Sequence, residues 1–329
     1  MIFKHKILLL FILFGLSTSA QFDSSYVSLT KNKFSVYPLS ELHSTQFKLN
    51  FNNDFKDLSD NVSIRYKAQN GLYIGFGMSF YRLGIAISFK LPYTNIPDLK
   101  YSTAFSFAGG YSYRKFYGEF KTKHYQGLQK ETIQYTDTDD DDNKSSVFDI
   151  NHDIETKQSA LNIYYFQSKK YNFDANFKNY NTQLKSAFSF VYAGGLSYFS
   201  LDGQLDLSGN NLNSIKKNIQ VRAVEFIPGI AFSLVNNNFY FSSIILLGAA
   251  YNYNILDFSS IRHNFSPATE LRAVLGYNNK NFFGSLSANY DYDYILLRQN
   301  NLSIHNLMFN LKLGLKLNSK YLGKIGNYL

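Results

Sequence analysis

The sequence predicts an all-β protein: a transmembrane antiparallel up-and-down β-barrel of about 12–14 strands, following a cleaved signal peptide. Three observations predict it. Apolar and polar residues alternate with period two over runs of about ten residues, the length a membrane-crossing strand needs. No apolar stripe with a 3.6-residue period appears at useful length, so no helical domain is expected. Aromatic residues make up 18% of the chain, with 31 Phe and 27 Tyr and no Trp, which suits a barrel girdled by aromatic rings at both membrane interfaces.

The amino terminus comes first. Lys4 and Lys6 precede an apolar run from Ile7 to Leu16, and small residues follow to Ala20. That is the layout of a secretory leader, and the run is too short to cross a bilayer as a helix. The expected organisation is a signal peptide over 1–20 and a single barrel domain over 21–329. Removing the leader lowers the formal charge from +9 by the two lysines, to +7. The chain has no cysteine, so disulfides are excluded. A closed barrel with a complete hydrogen-bond ladder is another source of stability for an exported chain.

The alternation is plainest in three places. Leu72, Ile74, Phe76, Met78 and Phe80 share one strand face, with Tyr73, Gly75, Gly77 and Ser79 on the other. Leu83, Ile85, Ile87, Phe89 and Leu91 repeat the pattern, as do Leu307, Phe309, Leu311, Leu313, Leu315 and Leu317. Further strands are expected near 33–38, 44–51, 61–68, 101–113, 115–125, 158–167, 186–200, 216–235, 238–254, 268–278 and 281–298. Short Asn-rich connections, such as those at 236–238 and 278–280, read as hairpin turns. Outer-membrane barrels have even strand counts, short periplasmic turns and longer outer loops. On that rule the outer loops fall near 127–157, 201–215 and 255–267, and 168–185 is a periplasmic excursion rather than a strand.

Three passages carry a family resemblance together. They are Asp23 to Leu42 (DSSYVSLTKNKFSVYPLSEL), Asn162 to Phe177 (NIYYFQSKKYNFDANF) and Gln183 to Tyr198 (QLKSAFSFVYAGGLSY). The closing order of Glu225 to Leu234, Phe239 to Tyr251 and Leu271 to Ser285 fits as well. The chain resembles an uncharacterised domain-of-unknown-function family of exported outer-membrane β-barrel-like proteins from Gram-negative bacteria. The resemblance covers nearly the whole mature chain and implies the barrel fold. It brings no assigned activity and no functional residues. One departure is that twelve residues follow Leu317, whereas barrel chains usually end on an aromatic residue in the closing strand.

If every apolar face points to lipid, the polar faces line the lumen. That rule turns Arg65, Lys67, Glu119, Lys121, Lys123, Glu270, Arg272, Asp291, Asp293, Lys312 and Lys316 inward. They are seven cations and four anions, a lumen charge of +3. One consequence is a wet passage with mild anion preference, since charged rings tune pore selectivity. The other is a barrel filled by mutually satisfied salt bridges. The sequence leaves both open.

Catalytic, cofactor and metal signatures are weak. The six histidines show no HExxH spacing, and there is no GxSxG motif. Gly75-Phe-Gly77 lacks the third glycine of a dinucleotide fingerprint. The acidic run from Asp137 to Asp142 is oxygen-rich, but no glycine stands at the sixth position and Phe148 stands where an EF-hand needs glutamate. These readings point away from an enzyme and imply no cofactor. Basic residues are dispersed rather than clustered, so nucleic acid is not an expected partner. Expected partners are outer-membrane lipid and lipopolysaccharide, with small solutes or an envelope protein. The expected location is the bacterial outer membrane. The expected role is a passive channel for small solutes or lipids; the alternative is a structural or accessory barrel of an envelope assembly.

Overall fold

The computed structural model describes residues 22–30, 33–51, 61–91, 103–135, 146–205, 215–256, 260–296 and 300–318. The leader expected over 1–20, the acidic run from Asp137 to Asp142 and the tail after Asn318 lie outside the described residues. Twelve strands form the closed wall: β2 (Lys33–Phe51), β3 (Asn61–Phe80), β4 (Leu83–Lys90), β5 (Thr103–Tyr113), β6 (Phe116–Tyr135), β7 (Ser146–Phe166), β9 (Ala187–Leu205), β10 (Ile215–Asn236), β11 (Phe239–Leu256), β12 (Ser260–Asn278), β13 (Phe282–Leu296) and β14 (Asn300–Asn318). Two short strands, β1 (Val27–Ser28) and β8 (Thr182–Gln183), pair apart from the wall. All wall pairings are antiparallel, and β14 closes on β2 from Asn318↔Lys33 to Asn300↔Phe51.

The count is twelve because two pairs of expected strands are continuous. β2 unites 33–38 with 44–51, and β3 unites 61–68 with the run from Leu72. The joins coincide with a register shift between His43 and Thr45. At the same level the apolar parity of the wall inverts. Toward the short-turn end, Leu311, Leu313, Leu315 and Leu317 are exposed on the outside. Toward the loop end, Phe47, Leu49, Tyr66, Ile154, Leu201, Ile219 and Leu302 are buried on the inside. Strands of 18 to 22 residues, such as β10 and β11, are about twice the length needed to cross hydrocarbon. Inside the membrane band the outer face meets lipid. Beyond it the outer face meets water, and apolar side chains turn inward to close the end of the barrel.

The inversion explains why the expected outer loops are mostly strand. β6 runs on to Tyr135, β7 starts at Ser146 and β12 at Ser260, so much of 127–157 and 255–267 is ladder. Only 206–214 of the third segment, 201–215, lies between β9 and β10. β4 and β5 are only 8 and 11 residues long. Above them β3 pairs directly with β6, from Lys67↔Gln129 to Asn61↔Tyr135, which takes two strands out of the wall at that end.

The segment between β7 and β9 does not hang below the barrel. It turns back into the barrel mouth as a single π-helical turn, Asp174–Lys178, ended by Asn179 in the left-handed region (φ 58°). β1 of the amino-terminal segment pairs with β8 of this plug, and Asp23 N–H donates to the Lys169 carbonyl.

Candidate functional site

The barrel interior is where the sequence placed the functional side chains, and it is filled in three layers. The lowest is the plug. Asn172, Asp174, Asn176 and Asn179 are buried although polar, and each has partners, as burial without them is costly. Ser112 Oγ of β5 donates to Asp174 Oδ1 at 2.5 Å, and Ser233 Oγ of β10 donates to Asn176 Oδ1 at 2.9 Å. Tyr240 Oη of β11 donates to Asn179 Oδ1 at 2.5 Å, while Asn179 Nδ2 donates to Ser285 Oγ of β13 at 3.1 Å. Asn278 Nδ2 of β12 donates to the carbonyls of Ala175 and Asn181, and Tyr180 Oη donates to the Lys33 carbonyl at the start of β2. Lys178 pairs with Asp174 at 3.1 Å. Burial pushes the Tyr171 phenol up and the Tyr180 phenol up to about 12, so both remain neutral donors.

The middle layer is ionic. Arg272 of β12 donates through Nε to Glu270 of its own strand and through Nη2 to Glu119 of β6 across the lumen. Its Nη1 reaches Glu119 Oε2 at 3.2 Å, and Lys121 Nζ reaches Glu119 Oε1 at 2.8 Å. Tyr164 Oη of β7 donates to Glu270 Oε2 at 2.9 Å, and Tyr117 Oη donates to Glu119 Oε2 at 3.0 Å. The guanidinium also lies over the rings of Tyr164 and Phe173, at 5.0 and 5.8 Å. Phe173 belongs to the plug and stacks on Tyr117 at 3.8 Å, which ties the two layers together. Beside this network, Glu41 Oε2 accepts from Ser88 Oγ at 2.5 Å and lies 3.0 Å from His43 Nε2, and His43 stacks on Tyr73 at 4.0 Å.

Above the ionic layer is a cavity of about 120 Å³ walled by Lys121, Lys123, Glu225, Glu270, Asp291 and Asp293, with Asn162, Asn289 and Asn306 between them. The apolar cluster around Phe47, Phe199, Val221, Ile295 and Ile304 forms the third layer, toward the loop end.

Nine of the eleven sequence-selected residues therefore face the interior. Glu119, Lys121, Glu270 and Arg272 meet in one network. Lys123, Asp291 and Asp293 line the cavity. Lys312 lies over the ring of Tyr37, and Lys316 Nζ donates to Asn278 Oδ1 at 2.5 Å. Arg65 and Lys67 do not face inward. They flank Tyr66, which is fully buried, and their register partners Lys48 and Gln46 flank the buried Phe47. The rule that apolar side chains face outward holds only within the membrane band, and these two residues lie beyond the inversion.

Sequence reasoning missed Glu41, His43, Lys90, Glu225 and the plug's Asp174 and Lys178. Glu225 had a readable signal, since it alternates with the strongly exposed Val224 and Phe226. Glu41 and His43 fell in the supposed break of β2. With these included, the described interior holds seven carboxylates and seven Lys or Arg side chains. The +3 lumen, and the anion preference built on it, lose their basis. No group of three or more His, Cys, Asp or Glu among the described residues is arranged to hold a metal ion.

A closed antiparallel barrel with lipid-facing strands and a packed, charge-balanced lumen defines a transmembrane β-barrel protein of the outer-membrane type. Residues 21–316 match the family model described as a domain of unknown function, DUF4421, and the chain belongs to that family. No curated protein matches. Among solved structures, the outer membrane protease OmpT from Escherichia coli is similar at 8% identity and a TM-score of 0.41, covering 90% of this chain and 100% of that one. OprG from Pseudomonas aeruginosa is similar at 8% identity and a TM-score of 0.26, covering 89% of this chain and 99% of that one. The translocator domain of the autotransporter NalP from Neisseria meningitidis is similar at 11% identity and a TM-score of 0.32, covering 83% of this chain and 88% of that one. Likenesses at these scores carry no argument about activity.

Proposed function

We propose that this protein is an outer-membrane barrel that stands closed at rest and serves as a structural or accessory component of an envelope assembly, without a catalytic step of its own. The observation that carries the reading is the plug, whose buried polar groups are bonded to β2, β5, β10, β11, β12 and β13 around the mouth. By the length rule for barrel connections the short-turn end, and with it the plug and β1, faces the periplasm. The ionic layer supports the same reading: its charges are spent on one another rather than presented to a passing solute. A second reading, a gated passage for small polar solutes, draws on the charged cavity beneath the apolar layer.

Planar-bilayer recording of the purified mature chain tests both. The closed reading expects no steady conductance from the wild type. It expects channel activity from a variant in which Asn176, Asn179 and Asn278 are replaced by alanine. Steady conductance of the wild type would sink it, and brief voltage-driven openings would favour the gated passage.

A further inference from the structure

The interior is charge-balanced as a whole, but the cavity above the ionic layer is not. Six charged side chains wall it, and two of them are spent elsewhere. Lys121 pairs with Glu119 at 2.8 Å, and Glu270 is held by Arg272 and Tyr164. Glu225 of β10 accepts a hydrogen bond from Ser197 Oγ at 2.5 Å. Asp291 and Asp293 of β13 and Lys123 of β6 have no hydrogen bond and no ion pair among the described residues. The interior cations Lys312 and Lys316 lie off the cavity, one over Tyr37 and the other bonded to Asn278. Three carboxylates therefore face this space against one ammonium.

The charges are also segregated. In the closed ring β13 stands six places from β6 in either direction, so the two aspartates and Lys123 come from opposite walls. Lys123 and Asp291 attract each other across the space without closing into an ion pair. On the acidic wall Glu225 and Asp293 repel each other, and the strands between them carry small residues, Ala250 and Ala268, at this level. Charges held in a closed interior are costly unless something answers them. Two more polar atoms here are unanswered: Gln158 Nε2 and Asn162 Oδ1 of β7 are buried without a partner, on residues that line the cavity. Phe199, Val221, Ile295 and Ile304 complete the lining with apolar surface. At about 120 Å³ the cavity has room for several water molecules or for one small solute.

We propose that this cavity binds a small diamino acid, its carboxylate on Lys123 and its two ammonium groups on Asp291, Asp293 and Glu225. Hydrogen bonds between ionised groups are the strong ones, and this ligand answers every unspent charge of the lining with its opposite. Its methylene chain meets the apolar surface of Phe199, Ile295 and Ile304. A diamine without a carboxylate leaves Lys123 unanswered. An amino acid with one ammonium leaves carboxylates facing one another. The site requires neither conduction nor closure of the barrel, so bilayer recording tests the reading above and solute binding tests this one.

The test is equilibrium dialysis of three probes against the folded mature chain in phosphatidylcholine nanodiscs. Ornithine carries both ammonium groups and the carboxylate. Putrescine is the same chain without the carboxylate, and norvaline is the same chain without the second amine. Each probe is present during refolding, so slow entry past the apolar layer does not limit binding. Ornithine should bind on the order of tenfold more tightly than either of the others. Lys123→Gln should remove most of its advantage over putrescine, and D291N/D293N most of its advantage over norvaline. Folding of each variant is checked by heat-modifiable gel mobility, and the wild-type comparison stands if a variant fails to fold. Putrescine bound as tightly as ornithine overturns the proposal, because the cavity would then be an acidic pocket to which Lys123 adds nothing. Norvaline bound as tightly as ornithine also overturns it, as does unchanged selectivity in a folded Lys123→Gln. Retention of none of the three overturns it outright and marks a cavity that holds water alone.

Discussion

Arg272 on β12 donates to Glu119 on β6 across the lumen, although 153 residues separate them in the chain. The guanidinium is buried, and it balances two carboxylates that are equally buried. A buried pair of this kind contributes little beyond what well-packed apolar residues would, but breaking it leaves an uncompensated charge. Arg272→Met should therefore cost about 3–5 kcal/mol, whereas E119Q/E270Q/R272M together should recover most of that loss. Urea unfolding of protein refolded into lipid vesicles measures both; equal losses in the two variants would place Arg272 outside the network.

The inversion of parity along the strands makes a second, opposed pair of expectations. Leu313 is half exposed on the outer face within the lipid band, so Leu313→Arg should cost about 2–4 kcal/mol. Beyond the inversion the outer face meets water, and Lys48→Ala there should stay within about 0.5 kcal/mol. Its neighbour Phe47 is fully buried in the apolar layer, and Phe47→Ala should cost about 3–5 kcal/mol. A large loss from Lys48→Ala with a small one from Phe47→Ala would reverse the facing of β2, since a one-residue slip exchanges the two faces.

The plug can be loosened from the wall rather than from within. Gly276 lies opposite Tyr240 in the β11–β12 ladder, and a Cβ there would fall about 2.6 Å from the phenol oxygen and within 2.7 Å of the ring. Gly276→Ala should push Tyr240 away from Asn179 and so weaken the closure. Limited proteolysis is the readout: cleavage after Lys178 should accelerate in this variant and in Tyr240→Phe. Protection equal to wild type in both would remove Tyr240 from the closure.

Alkaline pH offers a reversible route to the same end. The fold raises the Tyr180 phenol from 10.0 to about 12 through burial, which means that the native state favours the neutral, donating form. For an acid held neutral by the fold, the contribution is complete below the unfolded value and is lost as pH rises through the folded one. Thermal midpoints of wild type should thus fall between about pH 10 and 12 by more than those of Tyr180→Phe. Parallel curves would show that this phenol does not govern the closure.

The sequence by itself determined the class of fold. Residues such as Leu311, Leu313, Leu315 and Leu317 state their facing locally, because the two-residue period of a strand and the demand of lipid for apolar contact need no knowledge of the rest of the chain. The same reasoning placed Glu119, Lys121, Glu270 and Arg272 inside. It failed at Arg65 and Lys67, because what lies outside a strand changes from lipid to water part-way along it, and no residue in the strand announces where. It also split β2 at Glu41 and His43, whose polarity reads as a break until Ser88 and Tyr73 are seen beside them. Only the tertiary structure decided that the segment after β7 enters the mouth, that Arg272 reaches Glu119, and that the interior charges balance. Each of these joins residues from opposite sides of a closed ring, and closure is a property of all twelve strands together, not of any stretch of sequence.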